Sequence, residues 1–171
     1  VSSSAASDVY KRQHYQSFGF EMGSPEHEGY AAELEATQAS VKRMREAGIR
    51  VLVGGDYGLN ITPHGTYAKE LQYFTDYFGF SPGEALQAAT KHGGEAFMPD
   101  GSLGTLEAGK IADMVIVKGN PLEQIGVLQD ADAIAAVIKE GQIYTGLLDN
   151  QSPHQKNAEQ LNQLLGARPC N

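Results

Sequence analysis

Ile49-Arg50-Val51-Leu52-Val53-Gly54-Gly55-Asp56 decides how this chain is read. The first five residues, rich in β-branched types, predict a short buried strand over 49–53. Two glycines end it, and a carboxylate stands at its C-terminal tip. In α/β folds that tip is where ligands and catalytic groups gather, so Asp56 is the first candidate site residue. Upstream, Ala31, Leu34, Val41 and Met44 recur at helical spacing and predict a helix over 31–47. Gly48 follows where a C-cap glycine belongs. A helix leading through a glycine into a buried strand is one unit of a parallel α/β sheet.

Downstream of Asp56 the chain enters a loop over 57–65. Thr66 is the expected N-cap of a helix whose apolar face carries Tyr67, Leu71, Phe74 and Phe78. Ser81-Pro82-Gly83-Glu84 has the grammar of a capping box with proline in the first turn, so a second helix starts there. A further short helix is expected over 94–98. The texture then changes. Leu103–Leu106 reads as extended, Glu107–Lys110 as a turn, and Ala112–Val117 as a strand. Residues 134–139, Glu140-Gly141 and 142–144 read as a β-hairpin whose turn needs its glycine. The resulting division is a helix-rich α/β part over 14–100, a small β module over 101–146, and a polar tail over 147–171 in which 158–165 could form a weak helix. Residues 14–30 read as a loop without a motif.

Length and charge bound the function. With 171 residues the chain is one ordinary domain or parts of two. Its 41% hydrophobic content suits a folded globular protein. A net charge of −8 with no Lys/Arg cluster argues against a nucleic-acid partner. No apolar run approaches the roughly 18–20 residues of a membrane span. The single cysteine, Cys170, excludes an internal disulfide and a Cys-based metal site. Residues 1–13 (VSSSAASDVYKRQ) lack period, are no signal peptide, and resemble a translated adapter or vector read-through. They are expected to be a non-native leader outside the fold, with the true N-terminal part of the protein missing. Localisation is then undetermined. One predicted parallel strand makes no sheet, so the chain reads as the end of a larger protein.

Two segments carry a family resemblance. Ala47–Asp56 resembles the last barrel strand of the amidohydrolase superfamily, in the branch of imidazolonepropionases and Xaa-Pro dipeptidase-like hydrolases. Its usual Gly-Thr/Ser-Asp ending departs here at Gly55. Leu103-Gly104-Thr105-Leu106-Glu107-Ala108-Gly109-Lys110-Ile111-Ala112-Asp113-Met114-Val115 is similar to the family's Leu-Gly-x-Ile/Leu-x-x-Gly-Lys-x-Ala-Asp-Leu/Met-Val signature. Gly119-Asn120-Pro121-Leu122, the Lys139-Glu140-Gly141 hairpin and Ser81–Thr90 continue the match, which spans about residues 31–145. The resemblance implies the C-terminal part of a (β/α)8 TIM barrel followed by part of a small β-sandwich.

It also implies chemistry. Such enzymes cleave an amide, cyclic amide, dipeptide or ester bond with water activated by one or two divalent ions, zinc by expectation. The resemblance makes Asp56 a metal ligand and the general base that shuttles the water proton. The family's other ligands, a His-x-His pair and residues on the middle strands, are not matched here. His14, His27, His64, His92 and His154 have no metal-site spacing. A catalytic zinc needs about three protein ligands plus water, so the chain alone is expected to be inactive.

Other polar residues divide between function and structure. His64 is either a substrate contact at the pocket mouth or an exposed loop histidine, and Tyr57 either lines the pocket or packs. His92 reads as a structural residue at a helix end. Asp113 reads as making a turn or strand-entry hydrogen bond and Lys110 as part of the same turn. Gly54 and Gly55 serve either close approach or turn formation. A small-molecule substrate is the expected partner. The rival reading is a non-catalytic binding or structural domain derived from the same fold.

Overall fold

A computed structural model describes residues 5–55, 57–58 and 62–146. In chain order these form α1 (Ala5–His14), a 3-10 turn (Tyr15–Phe18), α2 (Pro25–Glu46), α3 (Lys69–Tyr77), α4 (Pro82–Gln87), a π-helical turn (Ala88–His92), α5 (Gly93–Phe97), β1 (Met114–Val117), a second 3-10 turn (Ile125–Gln129), β2 (Ile134–Lys139) and β3 (Gln142–Gly146). The tail over 147–171, with its expected helix at 158–165 and Cys170, lies outside the described residues.

The helix α2 starts six residues earlier than its apolar period predicts. Ser24 caps it by accepting the His27 amide N–H at 3.2 Å, and Pro25 occupies the first turn. The stretch expected to be a loop therefore ends at the cap. The helix stops in a Schellman motif: the Ile49 amide donates to Met44, the Gly48 amide to Arg45, and Gly48 takes φ +72°. Leu34 and Val41 face inward, where they meet Val51, Leu71, Phe74 and Phe78.

Residues 49–53 do not form the expected strand. Leu52 is a lone bridge residue, although Val51 is buried and Val53 packs on the core. The cause is pairing. A strand is defined by neighbours that take its N–H and C=O groups, and the sheet among the described residues contains only β1, β2 and β3. Nor is the segment buried throughout: Val51 is buried and Leu52 and Val53 are half-buried, but Ile49 is 47% exposed and Arg50 is exposed, and a ladder would need partners these residues do not provide.

The leader region also departs from expectation. Residues 5–14 are helical and pack on α2 and α3. Val9 is fully buried, Asp8 accepts from Thr37 Oγ1 at 2.8 Å, and Gln13 bonds the hydroxyls of Tyr73 and Tyr77. A segment of any origin with helix-compatible residues can cover apolar surface that α2 and α3 leave open.

The capping box at α4 forms as read. Ser81 Oγ accepts the Glu84 amide, and Glu84 reaches back to the Ser81 amide at 2.8 Å. Thr66, however, does not cap α3. Its hydroxyl donates to the Pro63 carbonyl at 2.8 Å, and a tight turn with bonds from Lys69 to Thr66 and Glu70 to Tyr67 precedes the helix, whose N-cap is Ala68. That extra turn swings Tyr67 out of the stripe: it is 53% exposed, whereas Leu71, Phe74 and Phe78 are buried. His92 is not at a helix end either, because the π turn carries α4 directly into α5.

The β module is a three-stranded antiparallel sheet in the order β1-β2-β3. Glu140 (φ +52°) and Gly141 (φ +79°) form the two-residue turn between β2 and β3. Positive φ at both positions is the geometry that matches strand twist in a tight hairpin. Asp113 takes the expected role, accepting the Glu140 amide at 2.8 Å, while Ala112 accepts that of Gly141 at 3.0 Å. Lys110 pairs with Glu107 and Thr105 in its turn. The segment over 103–106 is a series of bends, not a strand. It presses backbone to backbone on the helices: a Cβ on Gly104 would lie 2.5 Å from the Thr90 carbonyl oxygen, and one on Gly94 2.5 Å from that of Leu103. Ile125 and Leu128 complete the join by packing into the helical core beside α3.

Candidate active site

The turn after residues 49–53 is held from one side by a buried acid. Glu70, in the first turn of α3, is 3% exposed. Its Oε1 accepts the Gly54 amide N–H and its Oε2 the Gly55 amide N–H, each at 2.9 Å. Two successive backbone N–H groups make an anion-binding nest, and here the anion is internal. The Tyr57 side chain also favours the ionised form of Glu70. Burial pushes the Glu70 carboxyl above the usual glutamate range, and the bonds from Gly54 and Gly55, with the Tyr57 side chain, pull it back part of the way.

Gly55 is needed for space, not for an unusual φ. A Cβ there would stand 2.6 Å from the Tyr57 ring at Cε2 and 3.1 Å from Glu70 Oε2. The Tyr57 ring occupies the room a side chain at 55 would take.

Beyond the turn, three aromatic side chains come together. The Tyr57 and Tyr67 rings pack edge to face with centroids 4.7 Å apart, and the Tyr57 hydroxyl sits 3.4 Å from the Tyr67 carbonyl oxygen. His64 Nδ1 lies 2.9 Å from the Tyr67 hydroxyl. The His64 ring also rests on Gly58, which takes φ +109° and donates its amide to Thr62 at 2.8 Å. Tyr57 and His64, singled out in the sequence as pocket residues, therefore share one patch through Tyr67. His64 and Tyr67 are exposed, as a loop open to a small molecule requires. Asp56 lies outside the described residues.

Glu70 and Tyr67 escape a reading based on motifs. The signal for Glu70 is positional: it stands four residues before Phe74, so a helix places both on one buried face. An acid on such a face needs partners, and the nearest donors in the chain order are the amides of the Gly54–Gly55 turn.

The donor set does not make a metal site by itself. Among the described residues no group of three or more His, Cys, Asp or Glu side chains is arranged to hold an ion. His27 is buried at the start of α2, bonded to Arg12 and to the Gly23 amide, and His92 lies in the π turn, so the histidines are dispersed.

Comparison with known proteins follows the same pattern. The chain is 35% identical over 114 residues to ochratoxinase of Aspergillus niger, covering 66% of this chain and 22% of that enzyme. It is 31% identical over 110 residues to imidazolonepropionase of Symbiobacterium thermophilum, covering 64% and 26%. In three dimensions it matches A. niger ochratoxinase with a TM-score of 0.69 at 25% identity, over 85% of this chain and 32% of that one. It matches a Xaa-Pro dipeptidase with bound methionine in its active site with a TM-score of 0.65 at 28% identity, over 84% and 34%. The chain thus spans about a fifth to a third of the length of these relatives. The model of the amidohydrolase family matches residues 18–144, and the chain belongs to that family.

Proposed function

We propose that this chain is the C-terminal portion of a metal-dependent hydrolase that cleaves a C–N bond in a small molecule. Residues 14–100 are the end of its (β/α)8 barrel, 101–146 part of its β-sandwich, and 1–13 a non-native leader. Asp56 is a metal ligand and the general base, and Tyr57 and His64 contact substrate on the loop that follows. The observation that carries this reading is the turn at Gly54–Gly55. It follows a segment anchored in the core by Val51, is clamped by a buried carboxylate, and opens onto an exposed aromatic patch, in a chain whose relatives are hydrolases.

One or two divalent ions, zinc by resemblance, would supply hydroxide at neutral pH. Among the described residues no group fits such an ion unaided, and in this reading Asp56 would be one of its three or more protein ligands. What this chain contributes is positional: a rigid tip for Asp56 and a mouth for substrate. A short carboxylate on a braced backbone is held more tightly than one on a free loop.

The test is recovery of the full reading frame and assay of its product, with zinc, against amides, cyclic amides and Xaa-Pro dipeptides. Hydrolysis that is lost on chelation supports the reading. A full-length protein without upstream His-x-His and without hydrolysis would favour a binding or structural domain.

A further inference from the structure

The one buried acid in α3 has no part in the chemistry described above. Glu70 is exposed to only 3%, and carboxylates are rarely buried without a task or a partner. Its two oxygens are divided between two consecutive amides, those of Gly54 and Gly55. These amides are those of the two residues that precede Asp56 in sequence. A free loop at this point would leave both amides to solvent and the chain direction loose. A helix end could also have been stabilised by an exposed acid, without burial. Bidentate bridging of adjacent peptides instead constrains their relative rotation, because both bonds are satisfied in only one arrangement of the turn. The Tyr57 ring packs against the same turn, with Cε2 2.6 Å and Glu70 Oε2 3.1 Å from the place a Gly55 Cβ would take. The Gly55 site is shaped to admit it, since a Cβ would crowd both Glu70 Oε2 and Tyr57.

We propose that Glu70 is a positioning residue of the active site: its buried carboxylate, bridging the Gly54 and Gly55 amides, fixes the turn that immediately precedes Asp56 in sequence. The inference rests on the catalytic reading of Asp56. It adds that the Gly54–Gly55 turn is held by α3 and not by the segment 49–53 alone. Glu70 touches neither substrate nor metal in this scheme.

The test uses the full-length, zinc-loaded enzyme with three variants. Glu70→Ala removes both acceptors. Glu70→Gln keeps the volume and one acceptor oxygen while turning a donor toward the other amide. Asp56→Ala removes the proposed base. Hydrogen exchange resolved to Gly54 and Gly55 gives a readout independent of activity. Glu70→Ala should speed exchange at both amides while the α2 core stays protected. It should lower kcat by roughly 10–100-fold, the usual cost of losing an outer-shell support, with KM within about threefold. Glu70→Gln should fall between Glu70→Ala and the parent in both readouts. Should Glu70→Ala not fold, Glu70→Gln decides alone. An inactive Asp56→Ala beside a Glu70 variant with parental kcat, or with unchanged exchange at both glycines, overturns the positioning role and leaves Asp56 catalytic. A fully active Asp56→Ala overturns the catalytic reading and this inference with it.

Discussion

Glu70 and Gly55 constrain each other. The carboxylate takes the Gly55 amide at 2.9 Å, and the same oxygen would lie 3.1 Å from any Cβ placed on that glycine. With Tyr57 Cε2 at 2.6 Å from the same point, a side chain at 55 has nowhere to go. Gly55→Ala is therefore expected to destabilise the protein by about 1–3 kcal/mol, the range for overpacking a filled site. Replacing Tyr57 by a smaller residue should relieve part of that cost. Urea unfolding of Gly55→Ala, Tyr57→Ala and the double variant reads this directly. A double variant distinctly more stable than the sum of the singles is expected; strict additivity would refute the link between the two positions.

The turn at Glu140 offers a gain. Glu140 sits at φ +52°, a conformation that costs most L-residues roughly 1 kcal/mol, and its partner Gly141 already meets the requirement. Glu140→Asn should raise stability by about 0.5–1 kcal/mol, since asparagine is a preferred first residue of this turn. The hydrogen bond to Asp113 Oδ1 is donated by the backbone N–H of residue 140 and survives the change. A lower denaturation midpoint for Glu140→Asn would show that the turn is not of this type.

Stability at acid pH depends on the cap of α4. Bonds from the Ser81 amide and hydroxyl, and from Arg45, hold the Glu84 carboxyl below the usual glutamate range. The folded state thus gains from ionised Glu84. That gain is complete above the ordinary range and is lost as pH falls through the lowered folded value. Ser81→Ala should cost about 1 kcal/mol at neutral pH. The gap between Ser81→Ala and the parent should narrow below the glutamate range, as thermal unfolding across pH would show. Glu70 has the opposite sign: burial raises its folded value, so its contribution declines as pH rises through that value, and Glu70→Gln removes this decline.

These elements also show what was legible in the chain order. Local grammar translated well. Ser81-Pro82-Gly83-Glu84 gave its box, Gly48 its Schellman stop, Glu140-Gly141 its hairpin and Asp113 its strand-entry bond. The same grammar at Ser24-Pro25 starts α2, and reading it would have removed the loop assigned to 25–30. Long-range dependence was not legible. Residues 49–53 have the composition of a strand, but a ladder needs neighbours, and composition says nothing of their presence. Tyr67 belonged to a helical stripe by spacing and left it because a tight turn precedes α3. Glu70 carried no motif at all. Its role comes from contact with amides 15 and 16 positions earlier in the chain, which only the fold brings together.

The isolated chain should not retain a catalytic metal. Its described residues gather no set of three ligands, and one carboxylate does not hold zinc against water. Dialysis against micromolar zinc followed by elemental analysis is expected to leave the purified chain well below one ion per molecule. Stoichiometric zinc together with hydrolase activity in this chain would overturn the division of the site proposed above.

The central claim is that Asp56 is the catalytic carboxylate of a metal-dependent hydrolase. It is tested most directly by kcat of the zinc-loaded, full-length enzyme carrying Asp56→Asn, measured on the amide, cyclic amide or Xaa-Pro dipeptide that the parent cleaves. The account predicts a fall of at least about 100-fold, the scale of losing a general base, with the thermal midpoint preserved. A folded Asp56→Asn enzyme that turns over at the parental rate would contradict it.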